Sequence, residues 1–155
     1  MKFVFVREPR GAEYLELLKF CQAHSAHVAF IQQLFSPPSV DRLRPLLDRL
    51  SSSLIAIESV SEWPGNRMGT GYRADRYLYP VHDEVIAILA DVAHGLFDWV
   101  NPFLPDDLHF LRGDEVVLGQ VAHEQFAWIN LDDGVFDTVP VLLKDLLEER
   151  EVDER

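Results

Sequence analysis

A single cysteine, Cys21, leaves the chain without an internal disulfide and without a zinc site of the paired-cysteine kind. No stretch reaches the roughly 18 apolar residues that a transmembrane helix needs. The opening MKFVFVREPRG breaks its apolar run at Arg7, Glu8 and Pro9. It is too short for a signal peptide and reads as a strand, so cytoplasmic residence is the expectation. Repeats with a period of tens of residues are missing, which sets aside solenoids and propellers. The short chemical signatures are missing too: no Walker A loop, no G-x-G-x-x-G after a strand, no G-x-S-x-G elbow, no H-E-x-x-H and no EF-hand loop. A site assembled from residues scattered along the chain remains open.

Positive charge is scarce toward the C-terminus. Residues 1–104 hold ten Lys/Arg against twelve Asp/Glu, net −2, while residues 105–155 hold four against fourteen, net −10. Such a field repels phosphate backbones and anionic lipid, so nucleic acid and membranes are set aside as partners, whereas a basic protein is attracted. The same charge also serves simply to keep a surface solvated. Of the six histidines, His24 and His27 stand three apart across a predicted helix end and the rest are single. No metal-ligand spacing results, and no metal or cofactor is expected.

What is present suffices for one domain. The chain has 155 residues, 48% hydrophobic and 11% aromatic, and residues 1–149 are expected to form one globular unit, with 150–155 as a frayed acidic tail. Lys2–Arg7 reads as a strand buried on both faces. Tyr14, Leu17, Leu18 and Cys21 make one helical stripe over Ala12–Ala23. His27–Phe35 reads as a strand, then Ser39 offers an N-cap to a helix with Val40, Leu43, Leu47 and Leu50, which Pro45 delays or kinks. Leu54–Val60 alternates as a strand up to the turn Trp63-Pro64-Gly65-Asn66, followed by a loop over Arg67–Thr70. Tyr72–Tyr79 is extended. Acidic residues at Asp83-Glu84 open a helix with Val85, Ile88, Leu89, Val92, Leu96 and Val100, ending before Pro102. Leu108–Arg112, Glu115–Ala122 and Gln125–Leu131 read as an antiparallel meander, and Thr138 with Pro140 opens a last helix carrying Val139, Leu142, Leu143, Leu146 and Leu147. The predicted class is α+β, a mainly antiparallel sheet ending in that meander and packed with about four helices.

Three groups of side chains are candidates for chemistry or recognition. His123-Glu124, between two strands, pairs an imidazole with a carboxylate and suits general acid-base work, or a polar turn. Arg67, Arg73, Arg76 and His82 form the most cationic stretch and suit an anion such as a carboxylate or phosphate. Strand alternation, however, puts Arg76 on one face with Tyr72, Ala74 and Leu78, and Arg73 on the other with Asp75, Tyr77 and Tyr79. Trp99 and Trp128 read as core. Trp63, in a turn, reads as partly exposed and is the aromatic best placed to anchor a partner.

Glu62-Trp63-Pro64-Gly65, then Leu96-Phe97-Asp98-Trp99 with Leu104-Pro105-Asp106-Asp107-Leu108, then Ala122-His123-Glu124 with Ala127-Trp128-Ile129, together resemble a group of small bacterial proteins. The likeness covers residues 54–131 and lies in turns and packing positions. It implies a bacterial source, and no activity or functional residue. The leading expectation is therefore a non-enzymatic protein-binding module, inhibitory or toxin-neutralising, whose acidic C-terminal face, with Asp132, Asp133, Glu148 and Glu149, docks a basic protein. The alternative is a small enzyme or ligand-binding domain with a pocket near His123 and Glu124, assisted by Arg73 or Arg76.

Overall fold

Consecutive residues of a strand point to opposite faces, so Phe3, Val4 and Phe5 can all be buried only if their strand is covered on both sides. The computed structural model, which describes residues 1–33 and 37–151, meets that requirement. Its strands are β1 (Lys2–Phe5), β2 (His27–Gln32), β3 (Ala56–Val60), β4 (Glu62–Trp63), β5 (Asn66–Arg67), β6 (Ala74–Pro80), β7 (Asp106–Arg112), β8 (Glu115–Val121), β9 (Phe126–Asn130) and β10 (Leu147–Arg150). Eight of them form one sheet in the order β10-β1-β9-β8-β7-β2-β6-β3, with each described pairing antiparallel. The helices are α1 (Ala12–His24), α2 (Pro37–Leu50), α3 (Asp83–Val92) and the single turn α4 (Val141–Lys144). The architecture is α+β, as the element pattern predicts.

One face of the sheet carries Phe3, Phe5, Val28, Phe30, Phe110 and Ile129 into the main core against the apolar stripes of α1 and α3. Trp99 is fully buried there; its indole N–H donates to the Tyr14 hydroxyl at 3.1 Å, which in turn donates to the Leu89 carbonyl at 2.7 Å. Buried aromatics with a polar end need such a chain of partners. Cys21 is buried on the same stripe, and burial pushes its thiol pKa far up, leaving it inert. The opposite face holds two smaller clusters, Val4 with Val121 and Trp128, and Ile31 with Trp63 and Ala74. They lie under the β4–β5 hairpin. Among the described residues no helix is long and apolar enough to cross a membrane.

Four boundaries differ from the sequence reading. α2 already begins at Pro37, so Ser39 is inside it and is not its cap, and Pro45 is accommodated within it; Leu34 and Phe35 of the predicted second strand lie outside the described residues. α3 stops at Val92 instead of running toward Pro102, because the Asp98 carboxylate accepts from the backbone N–H groups of His94 and Gly95 at 2.9 and 3.0 Å and draws that segment out of the helix. Leu96 and Trp99 then reach the core from a short 3₁₀ turn. The predicted last helix is one turn long, after which Leu147–Arg150 becomes β10 and pairs with β1. The sheet therefore does not end in the meander. β1 would otherwise leave one edge of buried residues without hydrogen-bond partners, and β10 supplies them. Its pairing runs through Arg150, opposite Lys2, one residue into the segment expected to fray, while 152–155 lie outside the described residues.

Candidate functional site

The site is built on the sheet face opposite the helices, where the Pro64-Gly65 turn lays the hairpin over β7, β8 and β9. Gly65 has φ 78°, and a Cβ there would stand 2.6 Å from Val121 Cγ2 and 3.0 Å from Trp128 Cη2, so the tip sits against the sheet as closely as backbone allows. Trp128 in turn lies over Gly119, where any Cβ would run into its ring. Trp63 is 8% exposed, against the expectation of an exposed anchor. Its ring packs with Ile31 and Ala74, and its indole N–H donates to Asp107 Oδ2 at 2.8 Å. Asn66 donates to the same oxygen at 3.0 Å, and the Ala122 backbone N–H donates to Asp107 Oδ1 at 2.9 Å. One carboxylate thus joins the hairpin, the start of β7 and the β8–β9 connection. Asp107 takes the left-handed conformation, φ 57°, to do so.

Asp106 is buried beside it and accepts from the Asn101 backbone N–H at 2.8 Å and from Gln33 at 2.9 Å. Burial raises the pKa of both carboxyl groups, while these donors pull the other way. His109, next on the same face, is 1% exposed, with Nδ1 2.7 Å from the Asp107 carbonyl oxygen. Burial pushes its pKa down to about 4, and the nearby Arg76 guanidinium adds to the effect.

A cleft of about 550 Å³ opens beside the hairpin, between it and the β7–β8 turn, with Trp63, Asn66, Arg67, Arg76, Leu111 and Asp114 in its lining. Arg76 is bonded to Glu58 at 2.8 Å and Arg67 to Glu62 at 3.2 Å. Arg73 does not join Arg76: its guanidinium ties down the edge strand through Ser59 Oγ and Ser59 O at 2.7 and 2.8 Å. His82 is exposed at the N-cap of α3, apart from that cleft. Of the four residues put forward for an anion, Arg67 and Arg76 line this cleft, each already paired with a carboxylate, while Arg73 lines a separate pocket with Gly69 and Tyr72.

His123 and Glu124 sit in the 3₁₀ turn Ala122–Glu124, with side chains 61% and 66% exposed and 3.8 Å apart. Neither lines the cleft just described. His123 is near enough to the Asp106-Asp107 pair to favour their ionised forms, and makes no described hydrogen bond to either. Among the described residues no group of three His, Cys, Asp or Glu is placed to hold a metal ion.

The exposed acidic residues are densest in the C-terminal segment. Between residues 132 and 151 stand Asp132, Asp133, Asp137, Asp145, Glu148, Glu149 and Glu151, all exposed, against Lys144 and Arg150, seven acids to two bases. Asp132 is paired with Arg112 at 3.0 Å; the carboxylates of Asp133, Asp145, Glu148 and Glu149 have no hydrogen-bond or ion-pair partner among the described residues. Glu148 is in register with Val4 and Glu149 with Phe3, whose side chains enter opposite faces of the sheet. Glu148 and Glu149 therefore project from opposite faces of β10, and Asp132 stands off that strand beside Arg112 of β7, so the carboxylates do not tile one face. Val6, whose N–H donates to the Leu146 carbonyl at 2.8 Å, and Val141 and Leu142 on α4 are apolar side chains exposed by 58%, 74% and 43%.

Comparison of the chain with protein-family models, with curated proteins and with solved structures finds no match. The sequence reading missed Asp106, Asp107, His109 and Asn66 as members of one buried polar group. One signal was available, since an acid pair directly before the apolar run Leu108-His109-Phe110-Leu111 has to be buried or break the strand, and a buried tryptophan needs an acceptor.

Proposed function

We propose that the chain is a non-enzymatic binding module whose β10 edge docks a basic protein, in the manner of an inhibitory or toxin-neutralising protein. The observation that carries this reading is the make-up of the C-terminal segment: seven exposed acids against two bases between residues 132 and 151, Glu148 and Glu149 among them on β10 itself, with Val141 and Leu142 exposed in the same segment. An apolar centre with a charged rim is how protein interfaces are built, and a rim of one sign steers an oppositely charged partner. β10 is also a terminal strand of the sheet with one side unpaired among the described residues, so a strand of the partner has backbone groups to join. Against catalysis at His123 and Glu124 stands their exposure.

The test is affinity capture from lysate of the source organism on the full chain and on a matched Asp132→Asn, Asp133→Asn, Glu148→Gln, Glu149→Gln variant, at low and high salt. The reading predicts a basic protein retained in stoichiometric amount by the natural chain at low salt, released by high salt and missing from the variant. Identical retention by both chains, or none by either, contradicts it.

A further inference from the structure

β3 is the other margin of the sheet, and its make-up is unlike that of β10. From Leu54 to Val60 it reads Leu-Ile-Ala-Ile-Glu-Ser-Val, with Glu58 as the single charge. That carboxylate is held at 2.8 Å by the partly buried Arg76 guanidinium of β6. Natural edge strands carry lysine, proline or a bulge against pairing with a neighbour, and this one has none of them. Among the described residues β3 pairs on one side only, with β6, so the backbone groups of its other side have no strand to meet.

Ile55 and Ile57 are exposed by 51% and 50%. Ile57 is directly opposite Tyr77 on β6, and Tyr77 stacks on Phe30 of the main core with ring centroids 5.6 Å apart. Facing residues share a side of the sheet, so Ile57 is on the helix-covered side, and alternation puts Ile55 there too. Two β-branched apolar side chains thus stand uncovered at the rim of the core.

Charge selects the occupant. The chain carries −12 in all, yet residues 37–80, which contain α2, β3 and β6, hold six arginines against five acids, net +1. Of the two margins, this is the one that a second copy can approach without meeting like charge. A basic strand finds no carboxylate free along it, because Glu58 is taken by Arg76. Self-pairing also has a register that fits. A two-fold axis normal to the sheet keeps the helices of both copies on one side and pairs residues whose numbers share parity. Centred on Glu58, it would set the two carboxylates against each other. Centred on Ala56, it sets Ile55 of each copy against Ile57 of the other, with the small Ala56 at the axis and Glu58 opposite Leu54.

We propose that the chain forms a two-fold homodimer by antiparallel pairing of β3 with β3 of a second copy, joining the two eight-stranded sheets into one with a β10 edge at each end. The ladder is short and buries less than a standard interface, so the dimer is a weak one, with a Kd on the order of tens of micromolar. The proposal does not depend on what β10 binds.

The experiment is sedimentation velocity of the full chain from about 5 to about 500 μM at physiological salt, a range that brackets such a Kd, alongside Ile57→Lys and Ile55→Lys. A monomer–dimer equilibrium is expected for the natural chain. Each lysine replaces a side chain that is half exposed and should weaken the dimer at least tenfold, with circular dichroism to check that the variant is folded. Amide hydrogen exchange on the natural chain gives a reading that needs no variant: protection over Ala56–Glu58 should rise with concentration, and protection at Glu148 and Glu149 should not. A natural chain that stays monomeric at the highest concentration overturns the proposal. So does a dimer that both variants leave intact, or one whose concentration-dependent protection falls on β10. Association that continues past the dimer contradicts a closed two-fold pairing.

Discussion

Asp107 concentrates three donors, two of them buried, on two oxygens, which makes it the residue whose loss should be felt most outside the apolar core. Asp107→Ala leaves the Trp63 indole N–H, the Asn66 amide and the Ala122 N–H without their acceptor. Each buried orphan costs about 1–3 kcal/mol when nothing replaces the partner. Urea unfolding should show a loss in that range or above it; a variant within about 0.5 kcal/mol of the natural chain contradicts the latch. Asp107→Asn, with one acceptor oxygen, should recover part of the loss. His109 gives a second test. Its pKa is lowered in the folded chain from 6.5 to about 4, so the fold favours the neutral ring. The stability this contributes is fully present above pH 6.5 and is lost as pH falls toward and through 4. Asp106 and Asp107, raised by burial, act in the opposite sense: their contribution is present below the ordinary carboxylate pKa and lost as pH rises through their raised values. Comparison with His109→Gln removes the shared carboxylate contribution. The unfolding free energy of the natural chain, measured relative to that variant, should shrink between pH 6.5 and 4; a constant difference across that window contradicts the buried neutral ring.

Among the elements, α1 and the β7–β8–β9 meander could be read from the sequence because their signals are local. The stripe of Tyr14, Leu17, Leu18 and Cys21 and the turns at Gly113 and His123 need no knowledge of what lies opposite. β10 was hidden for the converse reason. Leu-Leu-Glu-Glu-Arg has the propensity of a helix, and only the open edge of β1, more than a hundred residues earlier in register at Phe3 and Glu149, makes it a strand. The end of α3 depends on the Asp98 side chain choosing backbone donors, a competition that apolar periodicity does not report. The burial of Trp63 depends on a carboxylate 44 residues away. As for the site, Arg76 was legible as a cation and its pairing with Glu58 was not, since that contact crosses two strands. The hairpin cover invites a packing test. Gly119→Ala pushes a methyl into the ring of Trp128, and overpacking of this kind costs about 1–3 kcal/mol. Thermal unfolding followed by tryptophan fluorescence should show a lower midpoint, whereas an unchanged midpoint would mean that Trp128 moves aside freely.

The whole molecule divides its labour between two covers and two edges. Helices seal one face of the sheet, the hairpin seals much of the other, and β10 and β3 are left as its margins. The margins differ in kind. β3 exposes Ile57 and has Ser59 tied by Arg73, whereas β10 is ringed with carboxylates. Charge on an edge strand guards against pairing with another copy of the same chain, because like charges would face one another. It does not guard against a basic strand. That asymmetry, together with the net −10 of residues 105–155, is the basis for a docking role.

The most direct measurement is the association rate constant of the captured basic partner as a function of salt, by stopped flow, for the natural chain and for the variant neutralised at Asp132, Asp133, Glu148 and Glu149. An edge that steers its partner by charge predicts a rate constant that falls by about tenfold or more between low and physiological-to-high ionic strength, and a variant that starts lower with a shallower slope, while dissociation changes less. Rate constants independent of salt and equal in the two chains would contradict the account, since the partner would then be recognised somewhere other than the β10 edge.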